Sequence, residues 1–78
     1  MKEYSFDVDD LLAELRFKKV NARPLNLLAR NLDMPKRRVL KLIDKARKEI
    51  FPDGLLIVDN GNGAYYKKSF ADEDIRVP

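Results

Sequence analysis

Between Pro35 and Ile50 the pattern of side chains selects one regular structure. Val39, Ile43, Ala46 and Ile50 recur at steps of four, three and four, with Leu42 beside them, which is the spacing of one helical face. At about 3.6 residues per turn, Arg37, Lys41, Lys45 and Lys48 project to roughly the opposite side, and Lys36 and Arg38 flank it near the start. The helix therefore has a sharp apolar face and a sharp cationic one. Pro35 suits its first position, because the missing N–H is not needed there and φ is already set. Pro52 and Asp53-Gly54 end it.

Upstream, Val8, Leu11, Leu12 and Leu15 make a second helical stripe, which predicts a helix from Asp7 to about Lys19. Asp7 is the expected N-cap; Asp9 and Asp10 in the first turn and Lys18 and Lys19 at the other end complement the helix dipole. Val20 to Arg23 reads as a connector or short strand, since Pro24 disfavours helix at Arg23. Asn26 is placed to cap a short helix over Leu27 to Leu32, with Leu28, Ala29 and Leu32 inward, and Asp33-Met34 follows as a turn. Leu40 lies off the core axis of the third helix and is expected to pack against the first or second.

Downstream the period changes to two. Leu55 to Val58 reads as a strand, Asp59 to Gly63 as a turn cluster, and Ala64 to Lys68 as a second strand. Asn-Gly between two such runs signals a hairpin, because both residues tolerate positive φ. Tyr65 and Tyr66 point to opposite faces, so one belongs to the core. Leu56 and Val58 oppose Leu55 and Ile57, and any of the four left exposed would indicate a protein interface.

The chain has 78 residues, enough for one domain with a modest core, on the order of 3–5 kcal/mol of net stability. It contains no Cys and no His, so disulfides, thiolate sites and the commonest catalytic bases are missing. Ser5 and Ser69 have no patterned base, and Asp7, Asp9 and Asp10 are explained by a helix start without a metal. No catalysis, metal or cofactor is expected. No apolar run approaches the length of a membrane span, and the first residues resemble neither a signal nor a transit peptide. A cytoplasmic or nucleoid-associated protein with no membrane partner is expected.

The net charge of +3 hides an uneven distribution. Residues 16–48 carry twelve cations against Asp33 and Asp44, while both flanking segments are acidic. Such a block indicates a polyanionic partner or a solvated helical face.

The middle of the chain reads Leu28-Ala29-x-x-Leu32-Asp33-Met34, then Val39-x-x-x-Ile43. This resembles a helix-turn-helix, and with the hairpin after it, the winged helix-turn-helix family, over about residues 7 to 70. Two residues depart from the family's habit. Asp33 stands where the turn often has Gly, and Pro35 where the recognition helix often starts with Ser or Thr. The resemblance implies an α+β, mostly α fold of three helices and a C-terminal β-hairpin wing. Residues 1–6 form an N-terminal arm, 7–70 the domain and 71–78 an acidic tail.

The resemblance also implies sequence-specific binding of double-stranded DNA, as in a transcription regulator or a phage or plasmid accessory factor. The third helix would enter the major groove with Lys36, Arg37, Arg38 and Lys41 at its reading end. Arg37 is the first candidate for a base, since an arginine can take O6 and N7 of guanine together. Lys45 and Lys48 would meet phosphates, as would Asn26 with Arg30 at the start of the second helix. The wing tip, with Asn60 and Asn62, would lie on the backbone or in the minor groove, with Lys67 and Lys68 at its base and Tyr66 available to stack. RNA, or an acidic protein partner, is the alternative.

Overall fold

The computed structural model describes residues 4–70. The acidic tail expected at 71–78, and the first three residues of the expected arm, lie outside them. Three helices, α1 (Phe6–Glu14), α2 (Leu25–Leu32) and α3 (Lys36–Ile50), pack beside strands β1 (Arg23–Pro24), β2 (Leu55–Asp59) and β3 (Ala64–Ser69). The sheet is antiparallel in the order β1-β3-β2. The fold is α+β and mostly helical, and it is compatible with a winged helix carrying a hairpin wing, as the sequence predicts.

The core forms where the three apolar stripes meet. Val8, Leu11 and Leu15 pack with Leu28 of α2 and with Val39, Leu42, Ile43, Ala46 and Ile50 of α3, and Ile57 closes the side facing the sheet. All the apolar residues read as the inner face of α3 are buried, so hydrophobic burial orients that helix and turns its opposite side outward. Ala29, Leu32 and Met34 line the edge of this core. Tyr65 is the inward tyrosine, and Tyr66 sits half-buried across from Val58 on the other face of the sheet. Leu55, Leu56 and Val58 are also half-buried, so none of the four apolar residues of β2 stands exposed. Leu40 does not pack as expected: it remains 42% exposed, because α1 and α2 meet α3 on its other flank.

The turn between α2 and α3 follows from one backbone conformation. Asp33 ends α2 in the left-handed region, with φ 56° and ψ 49°. Its N–H donates to the Arg30 carbonyl at 3.2 Å and the Met34 N–H to the Ala29 carbonyl at 3.0 Å, the paired closure that glycine usually makes. Asp tolerates this region better than most residues, so the departure from Gly costs little.

Several boundaries differ from the sequence reading. α1 opens at Phe6, with Ser5 rather than Asp7 before it, and the Ser5 hydroxyl donates instead to Glu49 Oε2 at 2.9 Å. The Tyr4 hydroxyl donates to Asp53 Oδ2, so these two arm residues are tied to the end of α3 and to the turn just after it. α1 also stops at Glu14, five residues short of Lys19, because Leu15 is already extended and Arg16 offers its carbonyl to the Lys67 N–H at 2.7 Å. Pairing with β3 has overridden local helix propensity there.

α2 starts two residues early, after Pro24, and Asn26 caps nothing. The pairing of Arg23 with Tyr65 and Pro24 with Ala64, and the Leu25 N–H donating to the Gly63 carbonyl at 3.1 Å, fix the start instead. Pro35 stands just outside α3 rather than in its first position. In the hairpin, Gly61 and Gly63 take the positive φ, while Asn60 Oδ1 accepts the N–H groups of Asn62 and Ala64.

Candidate nucleic-acid interface

Lys36, Arg37, Arg38, Lys41 and Lys48 are all exposed on α3. Among the described residues, no carboxylate pairs with any of the five. Lys45 differs: its ammonium lies 3.3 Å from Asp7 Oδ2, so α1 partly neutralises that point of the face. Arg47 turns toward the sheet, where its Nε donates to the Ile57 carbonyl at 3.2 Å, and it pairs loosely with Asp44 at 3.6 Å. Asp44 projects between Lys41 and Lys48 on the helix surface, so the outward strip carries one carboxylate.

Arg37, Arg38, Lys41 and Lys45 line one open groove of about 430 Å³, whose apolar residues are Met34, Pro35 and Leu42. Arg30 and Lys36 line a second depression on the other side of Met34 and Pro35. The turn between α2 and α3 is therefore a ridge with cations on both flanks, and Asp33 stands among those on the second. It gathers Arg30, Lys36, Arg37, Arg38, Lys41 and Lys45, with Lys48 just under one turn beyond Lys45.

The start of α3 is electrostatically unfavourable as built. Its first turn has no acidic residue and no side-chain cap, while Lys36, Arg37 and Arg38 crowd the positive end of the helix dipole. Each like-signed charge there costs about 0.3–1 kcal/mol. Sequences optimised only for stability place carboxylates at such a position. An anion at this end would take up the uncapped N–H groups and relieve the repulsion.

The remaining expected contacts divide. Asn26 is exposed in the first turn of α2, Asn62 is exposed at the wing tip, and Asn60 is half-buried because its side chain holds the turn. Lys68 and Tyr66 lie on the outer face of the hairpin, directly across from Leu56 and Val58. Lys67 is turned away from any outer partner. Its ammonium donates to the Leu12 carbonyl at 2.9 Å and sits 4.7 Å from the centre of the Phe17 ring. Burial, and secondarily the neighbouring Arg16 charge, lower its pKa below 10.5. The alternation of side chains along β3 already puts Lys67 on the face of Tyr65, and that signal could have separated it from Lys68.

Reading by helical face missed a second exposed group of cations, Arg16, Lys18 and Lys19, in the loop after α1. The helix expected from Asp7 to about Lys19 would have contained all three. Among the described residues no group of three His, Cys, Asp or Glu side chains gathers to hold a metal, and no helix is long and apolar enough to cross a membrane. No family model, curated protein or solved structure matches the chain.

Proposed function

We propose that this chain binds double-stranded DNA and reads sequence, as a transcription regulator does. The N-terminal half of α3 lies in the major groove and the hairpin tip rests on the backbone or in the minor groove. The observation that carries this reading is the uncapped, cation-crowded start of α3, exposed beside the turn and without carboxylate partners among the described residues. The fold tolerates that repulsion, and a phosphate or a guanine edge would relieve it. Arg37 is the base-reading candidate, with Lys36 and Arg38 next to it; Lys41, Lys48 and Arg30 serve phosphates, and Lys45 serves one at the cost of its Asp7 contact.

The test is titration against a random duplex pool and a random RNA pool across a range of salt. If about five cations meet phosphates, the log–log slope against salt is about −4.5 on duplex DNA. No binding to any duplex at low salt removes the proposal. Tighter binding to the RNA pool transfers the same face to RNA.

A further inference from the structure

The outer side of α1 and the loop that follows it carry a second surface that the DNA-binding proposal does not use. Phe6 is 91% exposed and Val20 is 86% exposed, and Phe17 also stands partly in solvent. Phe6, Asp9, Asp10 and Ala13 follow helical spacing and are all exposed, so they form one strip along the outside of α1. On the loop at the other end of the helix, Arg16, Lys18 and Lys19 are exposed around Phe17 and Val20.

The carboxylates of α1 sort by direction. Asp7 is taken by Lys45, and Glu14 accepts from Arg23 at 2.9 Å and from Asn31 at 2.8 Å. Asp9 and Asp10, on the outward strip, have no partner among the described residues, and neither do Lys18 and Lys19. The loop is also held in shape. The Arg16 carbonyl is bonded to β3, Asn21 Nδ2 donates to the Phe17 carbonyl at 3.1 Å, and Lys18 is held at φ 78°, a conformation unfavourable for a lysine. A loop fixed this way presents its side chains without much further ordering on binding.

We propose that this surface is self-complementary and that a second copy of this chain docks on it, with the two α1 helices antiparallel. Such a pair is isologous: each contact occurs twice. The acidic strip with Phe6 of one copy meets the cationic loop with Phe17 and Val20 of the other, and the reverse. α1 is about 13 Å long, so the two-fold axis falls near its C-terminal half, beside Ala13. Ala13 is small enough there to let the helices approach. A parallel arrangement would set Asp9 and Asp10 against their own copies and is disfavoured by like-charge repulsion. The contact is built from a few exposed side chains of each copy, so a weak, concentration-dependent dimer is expected.

The test is sedimentation velocity of the full chain without nucleic acid, up to about 1 mM, at low and high salt. A dimer that weakens with salt is expected, and a monomer throughout overturns the proposal. Asp9→Lys with Asp10→Lys, and separately Lys18→Glu with Lys19→Glu, should each weaken self-association at least about tenfold. Lysines at positions 9 and 10 also oppose the α1 dipole at about 0.3–1 kcal/mol each, so urea unfolding beside the sedimentation runs should show both variants folded at the working concentration. Mixing the two variants should restore a dimer, because both ends are then complementary again. A dimer indifferent to either reversal, or no recovery on mixing, refutes the antiparallel pairing.

Discussion

The Lys67 ammonium reaches the Leu12 carbonyl at 2.9 Å across 55 positions of sequence. α1 has no basic residue in its own last turn, and this lysine from β3 supplies the cation that the negative end of its dipole lacks. The Lys67 N–H meanwhile holds the Arg16 carbonyl, so one residue ends the helix and pins the loop after it.

Lys67→Met keeps the aliphatic stem and removes the donor. It is expected to cost about 1–2 kcal/mol, a charged hydrogen bond discounted for partial exposure. The folded protein holds the Lys67 proton less tightly than the unfolded chain. Unfolding therefore takes up a proton between the lowered pKa and 10.5, and that contribution to stability rises with pH across the interval. The advantage of the parent over the variant, measured by urea unfolding, should widen toward pH 10.5. A gap that is constant or narrowing contradicts the sign.

Tyr4 behaves in the opposite sense. Donation to Asp53, with smaller effects of desolvation and nearby carboxylates, pushes its phenol up to about 12. Its contribution is fully present below pH 10 and is lost as pH rises through about 12. Phenolate absorbance should show one tyrosine titrating near 12 that Tyr4→Phe removes. Loss in the variant of a step near pH 10 instead would show that the Tyr4–Asp53 bond does not persist in solution.

Lys36→Glu separates stability from binding. It replaces a cation at the positive end of α3 with an anion, which should stabilise the fold by about 0.5–1 kcal/mol in urea unfolding. The same change should weaken duplex binding at least about tenfold. A variant that loses stability and binding together would mean that Lys36 supports the fold.

Arg37→Ala should relax base preference, whereas Lys48→Ala should weaken all duplexes alike. Asp44→Asn removes the carboxylate on the outward strip and should tighten every duplex by about two- to fivefold, the size of an exposed charge interaction. Equal losses on all sequences for Arg37→Ala and Lys48→Ala would falsify the division of roles.

The elements that long apolar periodicity defines were legible. α3 is predicted to within a residue, and all five apolar positions of its inner face are buried, because no other arrangement satisfies that stripe. The left-handed Asp33 was legible too, since few other residues adopt that turn at low cost. The end of α1 and the start of α2 were not. Both are set by β3, more than thirty residues away along the chain, and no local pattern at Leu15 or Pro24 reports that pairing. For the same reason nothing local separates Lys18 and Lys19 from the end of a helix. Asp44 was visible as a charge, but its position between Lys41 and Lys48 acquires meaning only once the face is known to be open.

β3 lies between β1 and β2 in the sheet, yet it is the last of the described elements to be synthesised. Arg23 and Pro24 have no strand to pair with, and α1 no terminating cation, until Ala64–Ser69 arrives. Assembly of this molecule is thus a closing step rather than a sequential accretion: a nascent chain that has made all three helices still lacks the piece that tells the first where to stop and the second where to start.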